Sequence, residues 1–245
     1  MNLLISVLAG ILSSIIAVII IELYRRTRKK YVHRTMRTVM QFVGSGCTII
    51  VPAFPIKLPI RTSLISTEDA IALAYVLEVC STLNYKADVM SSRRIENNLS
   101  SNIIPIGGPS GNDTTGTLLR NYCPGFHIHN ADDFNNIYYE CGNQRFDNDA
   151  DHAVAFVIRL TPQLTQLSGT ILLLWGHYGI GTSAAAYFVK EYPEVLAALR
   201  SESFFIVLSL NRSLGYRSVS KSITDVSYYA FNKQNPSSQA NVSAG

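Results

Sequence analysis

The sequence predicts an α/β protein: a Rossmann-like, mostly parallel sheet with flanking helices and an inserted β-hairpin, preceded by one transmembrane helix. Three observations predict the folded part. The runs Ile171–Trp175 and Phe204–Leu208 are apolar at every position, as in strands covered by helices on both faces. Helix-like segments alternate with such runs, which is the pattern of an α/β sandwich. Two glycine-rich turns stand where an apolar strand gives way to a helix.

Leu3–Ile21 holds 19 residues without a charged side chain. At 1.5 Å per residue it reaches about 28 Å, enough for one bilayer crossing. Arg25, Arg26, Arg28, Lys29 and Lys30 follow at once. A basic C-terminal flank places that side in the cytoplasm and the short N-terminus outside. A secretory signal would want basic residues before the apolar run and small residues after it, whereas Glu22-Leu23-Tyr24-Arg25 follows here. Residues 1–24 are therefore expected to be a membrane anchor and 25–46 a basic juxtamembrane connector. Residues 1–40 carry seven Lys/Arg and one Glu, so of the chain's net +4 the remaining residues account for −2. The pI near 8.9 thus belongs to the membrane flank. It suits anionic lipid head groups and gives no support to a nucleic-acid partner.

Residues 47–231 form one domain of ordinary size. Cys47–Val51 reads as a short strand, stopped by Pro52, and 52–66 as a proline-containing loop. Ser66 or Thr67 caps a helix over Glu68–Leu83, with acids in its first turn. Lys86–Met90 and Ser101–Ile106 are further strands. A helix-like run, Thr114–Arg120, follows the first glycine turn. Phe126–His129 and Ile137–Cys141 pair as the inserted hairpin through a polar turn at Asp132-Asp133, and Cys141–Asp151 is an Asn/Asp-rich loop. Ala153–Leu160 and Thr170–Trp175 are apolar strands joined by a short loop. A helix over Thr182–Arg200, bent near Pro193, leads to the strand Phe204–Leu210, and Ser222–Phe231 alternates as a final strand. Residues 232–245 are rich in Ser, Asn and Gln and are expected to be disordered.

The candidate site lies in the two turns, Gly107-Gly108-Pro109-Ser110-Gly111-Asn112 and Gly176-His177-Tyr178-Gly179-Ile180-Gly181-Thr182. Ligands of open α/β sheets bind beyond the C-terminal strand ends. Glycine permits positive φ and close approach to the backbone, and free N–H groups at a helix start attract anions. Gly107, Gly108, Ser110, Asn112 and Thr114 are therefore expected to converge with Gly176, His177, Gly179, Gly181 and Thr182. In this reading the Asn112 amide reads a ribose or base, and the Thr114 and Thr182 hydroxyls add donors. Gly181→Val and Gly108→Val should cost affinity while leaving the fold intact. His177 is the candidate for acid–base chemistry. Glu68 and Glu140 are weaker candidates, since Glu68 and Asp69 start a helix, where acids ordinarily serve as dipole partners, and Arg93 and Arg94 could clamp a phosphate.

The spacing is neither a dinucleotide fingerprint nor a Walker loop, since no Lys follows the last glycine. No G-x-S-x-G elbow is present. His127 and His129 alternate onto one strand face, but a metal would need further ligands from Cys123 or Asp132, so no metal is assigned. Cys47, Cys80, Cys123 and Cys141 show no C-x-x-C pairing and are expected to be free thiols. No resident cofactor is assigned.

The GGP-x-x-N turn and the later G-x-x-G-x-G-T-x-A-A, here Gly176 to Ala185, resemble a pattern in largely uncharacterised bacterial membrane-anchored domains. The match runs over roughly Ile103 to Phe231. The order of elements is also similar to Rossmann-like sensor and effector domains of the SLOG and TIR type, found in nucleotide-triggered anti-phage systems. That resemblance implies a nucleotide-derived ligand at the glycine turns and a part in immune signalling. It departs from the NAD-cleaving TIR domains in lacking an acid where their catalytic glutamate stands. The leading expectation is a membrane-anchored cytosolic domain that binds a nucleotide or nucleotide-derived signal. The alternatives are an enzyme that cleaves a nucleotide or N-glycosidic substrate, and a protein-interaction module without a ligand. Self-association through Ser6, Gly10, Ser13 and Ser14 of the anchor is compatible with all three.

Overall fold

A computed structural model of the chain describes residues 2–55, 63–92, 102–133 and 136–232. Its first element is one unbroken helix, α1 (Asn2–Met40). Then come β1 (Gly46–Val51), the two-residue strands β2 (Phe54–Pro55) and β3 (Ser63–Leu64), α2 (Thr67–Thr82), β4 (Lys86–Ser91) and β5 (Asn102–Pro105). The middle of the chain gives α3 (Asp113–Tyr122), β6 (Phe126–His129), β7 (Tyr138–Cys141), β8 (Gln144–Asp147) and β9 (His152–Leu160). The last part gives α4 (Pro162–Thr165), β10 (Ile171–Gly176), α5 (Tyr178–Glu191), α6 (Pro193–Ala198), β11 (Phe204–Asn211), β12 (Ile223–Asp225) and α7 (Ser227–Phe231).

Seven strands form the central sheet in the order β12-β11-β9-β10-β5-β1-β4. The block β4-β1-β5-β10 is parallel throughout, while β9 and β12 run against their neighbours. Five of the seven strands therefore share one direction, and the mixed α/β architecture with a mostly parallel sheet and flanking helices stands. The chain goes from β1 through α2 to β4 on one side, then returns to β5 on the other. A crevice opens at such a reversal, beyond the C-terminal ends of the strands.

Alternation along the strands divides the core in two. Ile49, Ile104, Ala155, Leu172, Leu174 and Ile206 pack against α2, α5, α6 and the end of α1. Ile50, Ile103, Phe156, Leu173, Trp175 and Phe205 pack against α3, α7 and the β6–β7 insert. Val39 and Met40 are buried in the first of these cores. The folded domain thus begins inside α1, within what composition marked as a connector.

Several local expectations are corrected. The insert is a three-stranded meander, because Gln144–Asp147 in the supposed Asn/Asp loop pairs with β7. The helix expected over Thr182–Arg200 starts at Tyr178 and divides at Tyr192, where Pro193 restarts it as α6. The final alternating run is a three-residue strand followed by a helix, because Asp225 accepts bonds from the Ser227 N–H and hydroxyl and turns the chain. Among the described residues no helix is long and apolar enough to cross a membrane. The described side chains of α1 begin at Ser13, so much of the expected span Leu3–Ile21 lies outside them. Ile15, Ile16, Val18, Ile19, Ile20, Ile21 and Leu23 on that helix are exposed. Arg93, Arg94, Ser101 and the tail after Asn232 also lie outside the described residues.

Candidate functional site

Both glycine turns open onto one cavity of about 610 Å³, within the size range of small-molecule sites. It lies beyond the ends of β1, β5 and β10, where Pro52, Gly107 and Gly176 line it. Gly108, Ser110, His177, Gly179 and Thr182 line it as well. Asn112, Thr114 and Gly181 do not.

The first turn is held by Asn112, which is fully buried. Its Nδ2 donates to the carbonyls of Ile50 at 3.1 Å and Ile106 at 2.8 Å. Its Oδ1 accepts from the N–H groups of Thr114 and Thr115. The amide expected to read a ribose or base is instead the N-cap of α3, tying that helix to two strands. Two of the N–H groups that would have made an anion site there, those of Thr114 and Thr115, are already in use. Gly107 has φ +90°, the conformation the turn was expected to require of it. Thr115, unremarked in the sequence, donates its hydroxyl to the Gly107 carbonyl at 2.9 Å and fixes the turn.

The second turn works differently. The left-handed residue there is Tyr178, with φ +52°, whereas the glycines of this turn have no such φ. A Cβ on Gly176 would lie 2.6 Å from the Val154 carbonyl oxygen, and one on Gly181 would lie 2.7 Å from it. These two glycines let α5 cross against β9 and β10, so close packing accounts for both, and Gly176 lines the cavity besides. Gly179 presses on α2: a Cβ there would sit 2.5 Å from Glu68 Cβ.

His177 follows β10 directly and is 3% exposed. Its Nδ1 lies 3.1 Å from the Tyr139 hydroxyl on β7. A buried phenol proton needs an acceptor, and Nδ1 is the acceptor within reach among the described residues. Tyr139 therefore donates, and the neutral imidazole carries its proton on Nε2. Burial, helped by the nearby Arg212 charge, lowers the His177 pKa from 6.5 to about 4. Arg212 itself stacks 4.5 Å over the Tyr178 ring and donates to the Asp149 carbonyl.

A depressed histidine pKa has a stability consequence. Between pH 6.5 and about 4 the unfolded chain takes up a proton that folded His177 refuses, so stability falls as pH drops through that window. The full difference corresponds to about 3 kcal/mol. Asp69, whose carboxyl is pushed up chiefly by burial, acts with the opposite sign. Urea unfolding of the wild type and of His177→Gln across that window should therefore give a shallower pH slope in the variant. Equal slopes would mean that His177 is not held neutral.

The sequence missed most of the walls. Ser66 and Asp69 come from the start of α2, and Ile128, Ala131, Ile137 and Tyr139 from the meander. Asp69 is 5% exposed. Its N–H donates to Ser66 Oγ at 3.0 Å, and its Oδ2 accepts from that hydroxyl at 2.7 Å. Serine three residues before an acid at a helix start was the signal available for this pair. Glu140 is elsewhere: it pairs with His129 Nε2 at 2.8 Å on the outside of the meander and drops out of the candidate set. No group of three metal-ligating side chains occurs among the described residues. All four cysteines are free and buried. Compared with known protein families and with curated proteins, the chain matches none.

Proposed function

We propose that the chain is a membrane-anchored binding domain for a nucleotide-derived or nucleoside-type small molecule. The observation that carries the reading is the single cavity that both glycine turns open onto at the crevice of the sheet. Its walls are largely aromatic and apolar, with a few polar groups among them, as small-molecule sites generally are. The likeness of the order of elements to nucleotide-triggered sensors of anti-phage defence makes a nucleotide signal the first ligand to test. The exposed isoleucines of α1, followed by its basic stretch, support an anchor with the domain on the cytoplasmic side.

The test is thermal unfolding of the full chain in detergent against nucleosides, nucleotides, cyclic nucleotides, NAD and ADP-ribose. A ligand at a hundred times its dissociation constant should stabilise by about 2.7 kcal/mol, a shift of about 5–10 °C for a chain of this size. A flat panel would leave the cavity without this role. A second reading, cleavage of an N-glycosidic or related substrate, is favoured by one observation. Asp69 and His177 line the same cavity with pKa values displaced in opposite directions, an arrangement common at acid–base sites. Any stabilising compound that is recovered as products after incubation would decide for it, and recovery intact would decide against it.

A further inference from the structure

We infer that the cavity recognises the heterocyclic end of its ligand and not its phosphates, with Asp69 as the hydrogen-bond acceptor and His177 as the donor. The inference rests on the binding reading above and names the chemistry of that same site.

The charge of the walls points this way first. Among the described residues that line the cavity there are two carboxyl groups, Glu68 and Asp69, and no Lys or Arg. Neither helix start compensates. The α3 start is closed by Asn112 Oδ1. At the α5 start, a Cβ on Gly179 would lie 3.1 Å from Glu68 Oε2, so a carboxylate already stands beside the N–H groups a phosphate would need. A second negative group there would be repelled.

The polar groups supply the rest. Asp69 is held from one side only: Ser66 occupies Oδ2, while Oδ1 has no partner among the described residues. That oxygen faces the first turn, 3.4 Å from where a Cβ of Gly107 would be. An open carboxyl oxygen on a cavity wall takes a hydrogen-bond donor. A ligand N–H is such a donor, and a phosphate oxygen is not. His177 is the complement. With Nδ1 occupied by Tyr139, its remaining polar atom is Nε2–H, which has no partner among the described residues. Trp175, which also lines the cavity, has a buried Nε1–H that is a further donor without a partner among the described residues. The Asp69 acceptor and these donors, set among Ile128, Ile137, Tyr139 and Tyr178, suit a flat ring that carries an N–H beside a carbonyl or ring nitrogen. Nucleobases have that edge, and carboxylates read their N–H groups elsewhere in recognition chemistry.

The experiment is calorimetric titration of the full chain in detergent micelles. The probes are guanosine, inosine, adenosine, cytidine and uridine, their 5′-monophosphates, and ribose 5-phosphate and inorganic phosphate as probes without a base. The expected result is that the preferred nucleoside and its monophosphate bind within about threefold of each other, and that neither base-free probe displaces them. Asp69→Asn keeps an oxygen for the Ser66 hydroxyl and should fold with the wild-type Tm, yet weaken binding at least tenfold. Competition by ribose 5-phosphate, or a monophosphate more than a hundredfold tighter than its nucleoside, would overturn the inference on the wild-type chain alone. A folded Asp69→Asn that binds as the wild type does would overturn the role of Asp69. Silence of every probe would overturn the binding reading itself, and with it this refinement.

Discussion

Gly181→Ala and Gly176→Ala are each expected to cost at least about 3 kcal/mol, enough to leave a large share of the chain unfolded. A Cβ at position 181 would lie 2.7 Å from the Val154 carbonyl oxygen and 2.8 Å from the Gly176 Cα. At position 176 it would meet the same oxygen at 2.6 Å and the Gly181 backbone at 2.7 Å. All of these are main-chain atoms of the three elements that make the centre of the domain, so no rotamer change relieves the clash. Either α5 lifts from the sheet, opening the core around Ala184 and Ala185, or β9 and β10 separate. Ordinary overpacking of side chains costs about 1–3 kcal/mol, and backbone against backbone sits at or above the top of that range. Gly108→Ala is the contrast: its Cβ would meet only the edge of the Trp175 ring, at 3.2 Å, and the expected loss is below about 1 kcal/mol. Urea unfolding of the three variants decides. A Gly181→Ala protein within 1 kcal/mol of the wild type would return this glycine to the ligand, the role its sequence context suggested.

That reversal shows what a sequence of this kind reveals. The place of the site was legible, because strand, glycine and helix follow one another in the chain and the ends of parallel strands gather at one edge. The job of each residue was not. Gly107 and Gly181 look alike in sequence, yet one turns the chain at φ +90° and the other makes room for a carbonyl. Asn112 belongs to the turn, but its amide is spent on Ile50 and Ile106, and Ile50 lies 62 positions earlier. The groups that complete the cavity also arrive from far along the chain: Tyr139 meets His177 across 38 positions.

Strand direction was hidden for a related reason. A central strand is apolar on both faces whichever way it runs, so Ala153–Leu160 and Ile171–Trp175 carry no mark of being antiparallel to each other. The usable signal was the link between them. Ten residues separate Leu160 from Ile171, short of the dozen or more that a parallel crossover needs.

Arg159 is the other residue whose removal should be severe, and it stands inside one of those apolar strands. Its side chain is 2% exposed. Nε donates to the Glu202 carbonyl at 2.6 Å, Nη1 to the carbonyls of Thr38 and Val39 at 2.7 Å each, and Nη2 to the Ser201 carbonyl. The guanidinium also lies 4.5 Å over the Phe204 ring. Burial lowers its pKa to about 10, which leaves it charged at neutral pH. Thr38 and Val39 are in the last turn of α1, where carbonyls lack helical partners and the dipole favours a cation. One side chain thus closes the C-terminus of α1 and bolts that helix to β9 and to the loop before β11. Arg159→Met keeps much of the stem but strands four carbonyls, each costing about 1–3 kcal/mol when buried without a donor. Partial solvation as α1 loosens should limit the total to about 3–5 kcal/mol, the usual cost of breaking a buried charged network. Arg159→Lys offers three donors from a single point and should fall between. Unfolding in urea measures the loss, and limited proteolysis across residues 41–45 measures where it acts. The methionine variant should be cut there faster than the wild type under native conditions, because the end of α1 is no longer held. Equal cutting rates, with stability within 1 kcal/mol, would mean that Met36, Val39 and Met40 dock the helix unaided.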